Sequence, residues 1–284
     1  MEKKYVDLQL GGGRLIQVAN RTLTQMMSYI IDSPEGNVIV VDGGTYTEED
    51  AAALYSYLEE RGKKVDLWFI THAHSDHIGA MLYLMENGRF DIEIGKLCLN
   101  FPSDEWLAKK EEYDLNKRFL QKIKDMDINT VTVQIGDILR CGSLWIEIIC
   151  VPGDCEKYAT TINATSLIFK LHFPKKEVLF TGDFDVYAQA DFLERCDASK
   201  LRCDILQMPH HGQNGIDRSF YELMRPKVCL YTAPKWLWEN NRYRCNDPET
   251  VGKGPFTTLE TRRWMDELGA EESYTLADGD CIFE

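Results

Sequence analysis

Three of the six histidines of this 284-residue chain fall within six positions, in Thr71-His72-Ala73-His74-Ser75-Asp76-His77-Ile78-Gly79. Imidazoles and a carboxylate at this density are costly to hold together unless a cation compensates them, so the stretch reads as a metal-binding motif. The apolar run 65–70 leads straight into it, as a buried strand delivering ligands to the edge of a sheet would. Alternate side chains of an extended segment share a face, so His72 and His74 can point at one ion. With a helix starting at Ser75 as its N-cap, Asp76 and His77 fall in the first turn and reach a second ion close by.

The elements that must position these residues follow from period and punctuation. Residues 5–10 and 14–19 alternate as strands around Gly11-Gly12-Gly13, which reads as a hairpin turn because no helical pattern follows the glycines. A second hairpin joins 26–32 to 37–42 and ends on Asp42, a carboxylate placed to accept hydrogen bonds from loop backbone or a ligand imidazole. Amphipathic residues 48–61 close at Gly62 as a helix, and a second helix should run from 76 to 87 and stop at Gly88. A strand at 92–100 precedes a charged helix at 104–125, whose mixed Lys and Glu residues read as a solvated face with a candidate anion clamp at its basic end.

The second half repeats this grammar. Short strands at 130–133, 138–141 and 144–151 lead to Val151-Pro152-Gly153-Asp154, and 163–169 pairs with 177–183 around Pro174-Lys175-Lys176. Asp183 closes its strand as Asp42 closes the earlier one. Asp204 opens the apolar run before Pro209-His210-His211-Gly212, as Asp66 opens the run before His72, and in both a histidine arrives six residues on. That repetition favours His210 as a metal ligand and leaves His211 to bind substrate or protonate a leaving group. His172, alternating within a strand, reads as structural. Beyond a strand at 228–231 come a helix at 259–268 and strands at 273–276 and 281–283. The polar, aromatic segment 236–255 is either a lid or a surface loop packed by its own tryptophans.

The pattern His-x-His-x-Asp-His after a strand resembles the signature of the metallo-β-lactamase superfamily. With Asn163-x-x-Ser166-Leu167, Thr181-Gly182-Asp183 and Pro209-His210-His211-Gly212 it is similar, over residues 25–230, to the hydrolase domain of late-competence DNA-uptake proteins and its free-standing relatives. The resemblance implies a four-layer αββα sandwich holding one or two divalent ions, zinc first and manganese or iron next. It implies that Asp183 bridges the ions, and it groups Asn163 with Asp42 as outer residues of the site. Many superfamily members have a ligand histidine after Pro-Gly where this chain has Asp154, an oxygen ligand that suits zinc, manganese or iron. Members of the DNA-uptake branch commonly lack that histidine. A redox di-iron branch resembles His-x-Glu-x-Asp-His, and here His74 stands at the Glu position.

Composition narrows the rest. Hydrophobic residues make up 44% of the chain, enough for a large core, so 1–284 reads as one domain with 232–284 as a C-terminal elaboration. Against 46 acidic residues there are 32 basic ones, a net charge of −14, which argues against membrane surfaces and long duplex nucleic acid. Nine dispersed cysteines without Cys-x-x-Cys, no leader pattern at the start and no apolar run near 18 residues point to a reduced, cytoplasmic protein, and a role in DNA uptake does not carry over.

The expected function is metal-assisted hydrolysis of a small or single-stranded phosphodiester by an activated water. His72 and His74, with Asp154, would hold the first ion. Asp76, His77 and His210 would hold the second, and Asp76 would also orient the nucleophile. A carboxylic ester, lactone or thioester hydrolase could use the same ligands, and the missing third histidine keeps open a metal-poor binding or scaffold protein.

Overall fold

The computed structural model describes residues 3–284, with the backbone alone at Glu156; the chain start read for a leader, Met1 and Glu2, lies outside the described residues. Seven strands come first: β1 (Lys3–Val6), β2 (Arg14–Gln17), β3 (Tyr29–Asp32), β4 (Val38–Val41), β5 (Lys64–Phe69), β6 (Glu93–Leu99) and β7 (Thr130–Thr132). Then follow β8 (Ile138–Cys141), β9 (Leu144–Cys150), β10 (Ile168–His172), β11 (Glu177–Phe180), β12 (Ile205–Gln207), β13 (Val228–Tyr231), β14 (Glu272–Thr275) and β15 (Asp280–Phe283). They form two sheets, ordered β1-β15-β2-β3-β4-β5-β6-β7 and β14-β13-β12-β11-β10-β9-β8.

The helices are α1 (Glu48–Glu59), α2 (Ser75–Glu86), α3 (Asp104–Leu107), α4 (Tyr113–Asp125), α5 (Cys155–Tyr158), α6 (Gln189–Arg195), α7 (Arg218–Met224), α8 (Lys235–Trp238) and α9 (Thr258–Leu268). Three separate apolar clusters define the layers. One lies between the sheets and joins Tyr29, Phe69, Phe169 and Phe180, with ring centroids 4.7 to 5.3 Å apart. A second lies under α1, α2 and α4, and a third under α6, α7 and α9. The result is the αββα sandwich that the motif resemblance implies.

Strand β4 is buried along its whole length, as is β13, which is why their sequences read as continuous apolar runs rather than alternating ones. Strands β4 to β7 run parallel, as do β11 to β14, so each pair needs a crossover that carries the chain back over a face. Loops at the carboxyl ends of such strands are where α/β sheets assemble sites. The Asp66 and Asp204 repetition has a structural counterpart. Asp66 accepts from the backbone N–H of Val38 at 2.9 Å and Asp204 from that of Glu177 at 2.9 Å, so each ties down the start of the neighbouring strand.

Three elements differ from the expectation. Gly11-Gly12-Gly13 does not close a hairpin, because β15 inserts between β1 and β2, parallel to one and antiparallel to the other. Alternation shows that a segment is a strand and leaves its partner open. The charged helix at 104–125 breaks into α3 and α4 at Glu112, whose φ is +59°. And the aromatic segment near Trp236 is packed: Trp236 is fully buried and donates its Nε1 proton to the Leu23 carbonyl at 2.9 Å. Residues 232–284 also give one strand to each sheet, β14 and β15.

His172 lies flat on Trp145 at 3.4 Å and pairs with Glu177, and six of the nine cysteines are buried. Among the described residues no helix is long and apolar enough to cross a membrane.

Candidate metal centre

Asp42 follows β4 in a left-handed conformation, φ +58°, which turns its carboxylate into the gap between the sheets' edges. It is fully buried and accepts three hydrogen bonds: from Thr71 N at 2.7 Å, Thr71 Oγ1 at 2.8 Å and His77 Nδ1 at 2.8 Å. With Nδ1 bearing the proton given to Asp42, His77 Nε2 is left with a free lone pair. Burial drives the Asp42 carboxyl above the ordinary carboxylate range, against the opposing pull of His77 and Thr71.

Helix α2 brings Asp76 and His77 in its first turn. Gly79 completes the motif for a packing reason: a Cβ there would stand 2.2 Å from Tyr46 N and 2.7 Å from the Thr45 carbonyl carbon. Its absence lets the loop after β4 lie directly on the helix, with Ala80 N donating to the Gly44 carbonyl at 3.0 Å. On the other sheet, Gly182 with φ +54° packs against Thr71, and Asp183 N is held by Ser166 Oγ at 3.0 Å. The two halves thus close on each other at Thr71 and Gly182.

Asp183 stands at the centre, 2% exposed. Its oxygens lie 3.2 Å from His77 Nε2, 3.2 Å from His211 Nε2, 4.0 Å from His72 Nε2 and 3.9 Å from His210 Nε2. His72 Nε2 also meets His74 Nδ1 at 3.1 Å, and His211 Nε2 meets Asp76 at 3.2 Å. Despite these short separations, His77 Nε2, His211 Nε2 and Asp183 Oδ1 are buried without an aligned hydrogen bond. Three buried, unpaired polar atoms aimed at common points would be a heavy desolvation cost in a fold with nothing to bind there. Two groupings are close enough to share an ion: His72, His77 and Asp183, and Asp76, His77 and His211. A nitrogen and oxygen donor set of this kind suits zinc and neighbouring divalent metals.

The electrostatics of the metal-free protein point the same way. Burial pulls the His77 and His211 imidazoles down, but Asp183 with Asp42 or Asp76 outweighs it, holding His77 well above the usual range and His211 at about 9. Burial pushes Asp183 up, and His211 and His77 more than reverse it, holding the carboxyl well below its usual range. Carboxylates that favour positive charge at these ring nitrogens would equally favour a cation bound between them. His72, buried and next to other imidazoles, is pushed low.

Two of the expected ligands, His210 and Asp154, stand in different surroundings from the inner donors. The turn after β12 passes through two left-handed residues, His210 at φ +50° and His211 at φ +58°, which ends the register of the repeat. Fully buried His211 points inward, its Nδ1 on the Thr232 carbonyl at 3.0 Å and hydroxyl at 2.8 Å. His210 stands at the mouth, Nδ1 on the Asn214 carbonyl at 3.2 Å and Nε2 on Asn163 Nδ2 at 3.2 Å. Asn163, read as an outer residue of the site, therefore contacts His210, while its own Oδ1 is buried and unpaired.

Asp154 is not brought to the histidines. It is exposed and caps α5, accepting from Lys157 N at 3.2 Å, on a groove it shares with Asn100, Trp106 and Gly153. In the segment 104–125, Lys110 bonds the Thr160 carbonyl, and it is Glu111 and Glu112 that turn toward His74 and Ser75. Nothing local in the sequence marks that contact.

Comparison with known proteins agrees with this arrangement. Residues 21–231 match the family model described as the metallo-beta-lactamase superfamily. ComE operon protein 3 of Bacillus subtilis is 24% identical over 226 residues, covering 73% of this chain and 26% of that protein. Ribonuclease J of Helicobacter pylori is 23% identical over 193 residues, 66% of this chain and 24% of that protein. The chain thus spans about a quarter of the length of these relatives. Among solved structures, the metallo-beta-lactamase fold protein YhfI from Bacillus subtilis superposes with a TM-score of 0.53 at 13% identity, covering 93% of this chain and 96% of that one. With the motif, the sandwich and the buried donor cluster in agreement, the chain belongs to the metallo-β-lactamase superfamily.

Proposed function

We propose that the crevice holds two divalent cations and that the protein hydrolyses a small or single-stranded phosphodiester. The observation that carries the metal reading is the set of buried unpaired atoms, His77 Nε2, His211 Nε2 and Asp183 Oδ1, directed at shared points. His72 Nε2 and His74 Nδ1 would hold the first ion, Asp76, His77 Nε2 and His211 Nε2 the second, and Asp183 would lie between them, reducing their repulsion. When bound, such ions lower the pKa of water toward neutrality and polarise the phosphoryl centre.

The chain's own residues supply the rest. Asp42 keeps His77 in the required tautomer, and the Thr232 carbonyl does the same for His211. Asp76 has a side chain 24% exposed on the crevice side and is placed to accept a proton from an incoming nucleophile. His210 and Asn163, together at the mouth, are placed to contact substrate, the role the sequence had suggested for His211. The similarity to a ribonuclease, Ribonuclease J, supports a phosphodiester. The net charge of −14 favours a short one over a long duplex.

The test is metal content by elemental mass spectrometry together with turnover of bis(4-nitrophenyl) phosphate and of 4-nitrophenyl acetate. Two ions per chain and phosphodiester turnover, both lost in Asp183→Ala, are expected. Ester turnover alone would move the substrate class to carboxylic esters, and a metal-free, inactive wild type would overturn the reading.

A further inference from the structure

Each histidine of the cluster turns one ring nitrogen to the centre and gives the other to the protein. For His72, His77 and His211 the outward nitrogen is Nδ1, held by Thr71 Oγ1, Asp42 and Thr232. His74 runs the other way. Its Nδ1 meets His72 Nε2 at 3.1 Å, and its Nε2 faces Glu111 Oε1 at 3.6 Å.

Glu111 is held there by its neighbour. Glu112 takes a left-handed conformation, and its two carboxylate oxygens grip Ser75, one accepting from the backbone N–H at 2.7 Å and the other from Oγ at 2.8 Å. The N-cap residue of α2 is His74, and its side chain makes no capping bond. Glu112 is therefore the cap, delivered from 37 residues downstream, and its negative charge also suits the helix N-terminus. The turn between α3 and α4 is fastened to the helix that carries Asp76 and His77, and this fastening sets Glu111 beside His74.

We propose that Glu111 is a positioning residue: its carboxylate favours the proton on His74 Nε2 and so leaves Nδ1 unprotonated toward the first metal position. This rests on the metal reading above. Asp42, Thr71 and Thr232, the outer partners of the other histidines, are fully buried, whereas the Glu111 side chain is 64% exposed on a surface turn. The first metal position is accordingly the adjustable one, set by whether the 108–112 turn is seated.

The experiment compares wild type with Glu111→Ala and Glu111→Gln. In metal-free protein, ring-nitrogen NMR should find the Nε2–H tautomer of His74 in wild type and in Glu111→Gln, which keeps an acceptor oxygen, and a loss of that preference in Glu111→Ala. In zinc titrations Glu111→Ala should weaken one of two binding events by about 10–100-fold and leave the other and the metal-free melting temperature unchanged. An unchanged tautomer with an unchanged isotherm overturns the proposal, as does equal weakening of both events with a lowered melting temperature. A Glu111-dependent tautomer in a protein that binds no zinc would uphold the positioning role while removing the metal reading.

Discussion

Replacing Asp42 with Asn isolates the part of the site that depends on proton placement rather than shape. The left-handed backbone at φ +58° tolerates Asn well, so the substitution adds no strain. Asp42 Oδ1 accepts from Thr71 N, which can only donate, so the Asn oxygen must take that side. Its NH₂ then faces Thr71 Oγ1 and His77 Nδ1, where Oδ2 stood. Donor against donor forces the His77 proton onto Nε2, the nitrogen aimed at Asp183. Loss of an orienting carboxylate of this kind weakens metal binding about 10–100-fold, or about 1.4–2.7 kcal/mol.

The same change costs the fold the two hydrogen bonds that Oδ2 accepts, about 1–3 kcal/mol before the relief of no longer burying a charge. Metal affinity by chelator competition and melting of the metal-free protein measure the two effects separately. Asp42→Asn that binds metal with wild-type affinity would refute the tautomer reasoning. A variant that fails to fold would show that Asp42 acts on architecture, and Asp42→Glu would then report on the lost geometry.

Four further variants have expected outcomes. His211→Ala should reduce the metal content from two ions to one, whereas His210→Ala should keep both ions and lose phosphodiester turnover, each read by elemental mass spectrometry and steady-state kinetics. Gly79→Ala should lower stability by at least about 1–3 kcal/mol in urea unfolding, because the new Cβ meets backbone at Tyr46 and Thr45 that cannot step aside. Glu86, held below its ordinary value by Arg118 and then Tyr46, joins α2 to α4; Glu86→Gln should cost under about 1 kcal/mol at neutral pH, since Arg118 is half exposed. With a depressed folded pKa, that contribution is present above the unfolded value of 4.5 and disappears as pH falls through the folded one, so the two proteins' urea midpoints should converge in acid.

What was legible in the sequence was chemistry confined to one loop and packing confined to one element. The His72 to His77 cluster declares itself because its members lie within six residues, and strand-ending Asp42 and Asp183 because a carboxylate after an apolar run has few uses. Continuous runs such as 38–41 marked buried strands, and the αββα architecture followed from the family resemblance of the motif.

The tertiary structure decided everything that turns on backbone handedness or on a distant partner. The choice between His210 and His211 depends on two successive left-handed residues, a local energy that other contacts must outweigh and that no residue pattern announces. Asp154 caps a short helix, its carboxylate accepting from the Lys157 N–H three residues on. The capping of α2 by Glu112 and the insertion of β15 between β1 and β2 join residues far apart in the chain. Period and propensity report what a segment becomes. Which segment it meets is set by the total burial and hydrogen bonding of the closed fold, which only the assembled chain possesses.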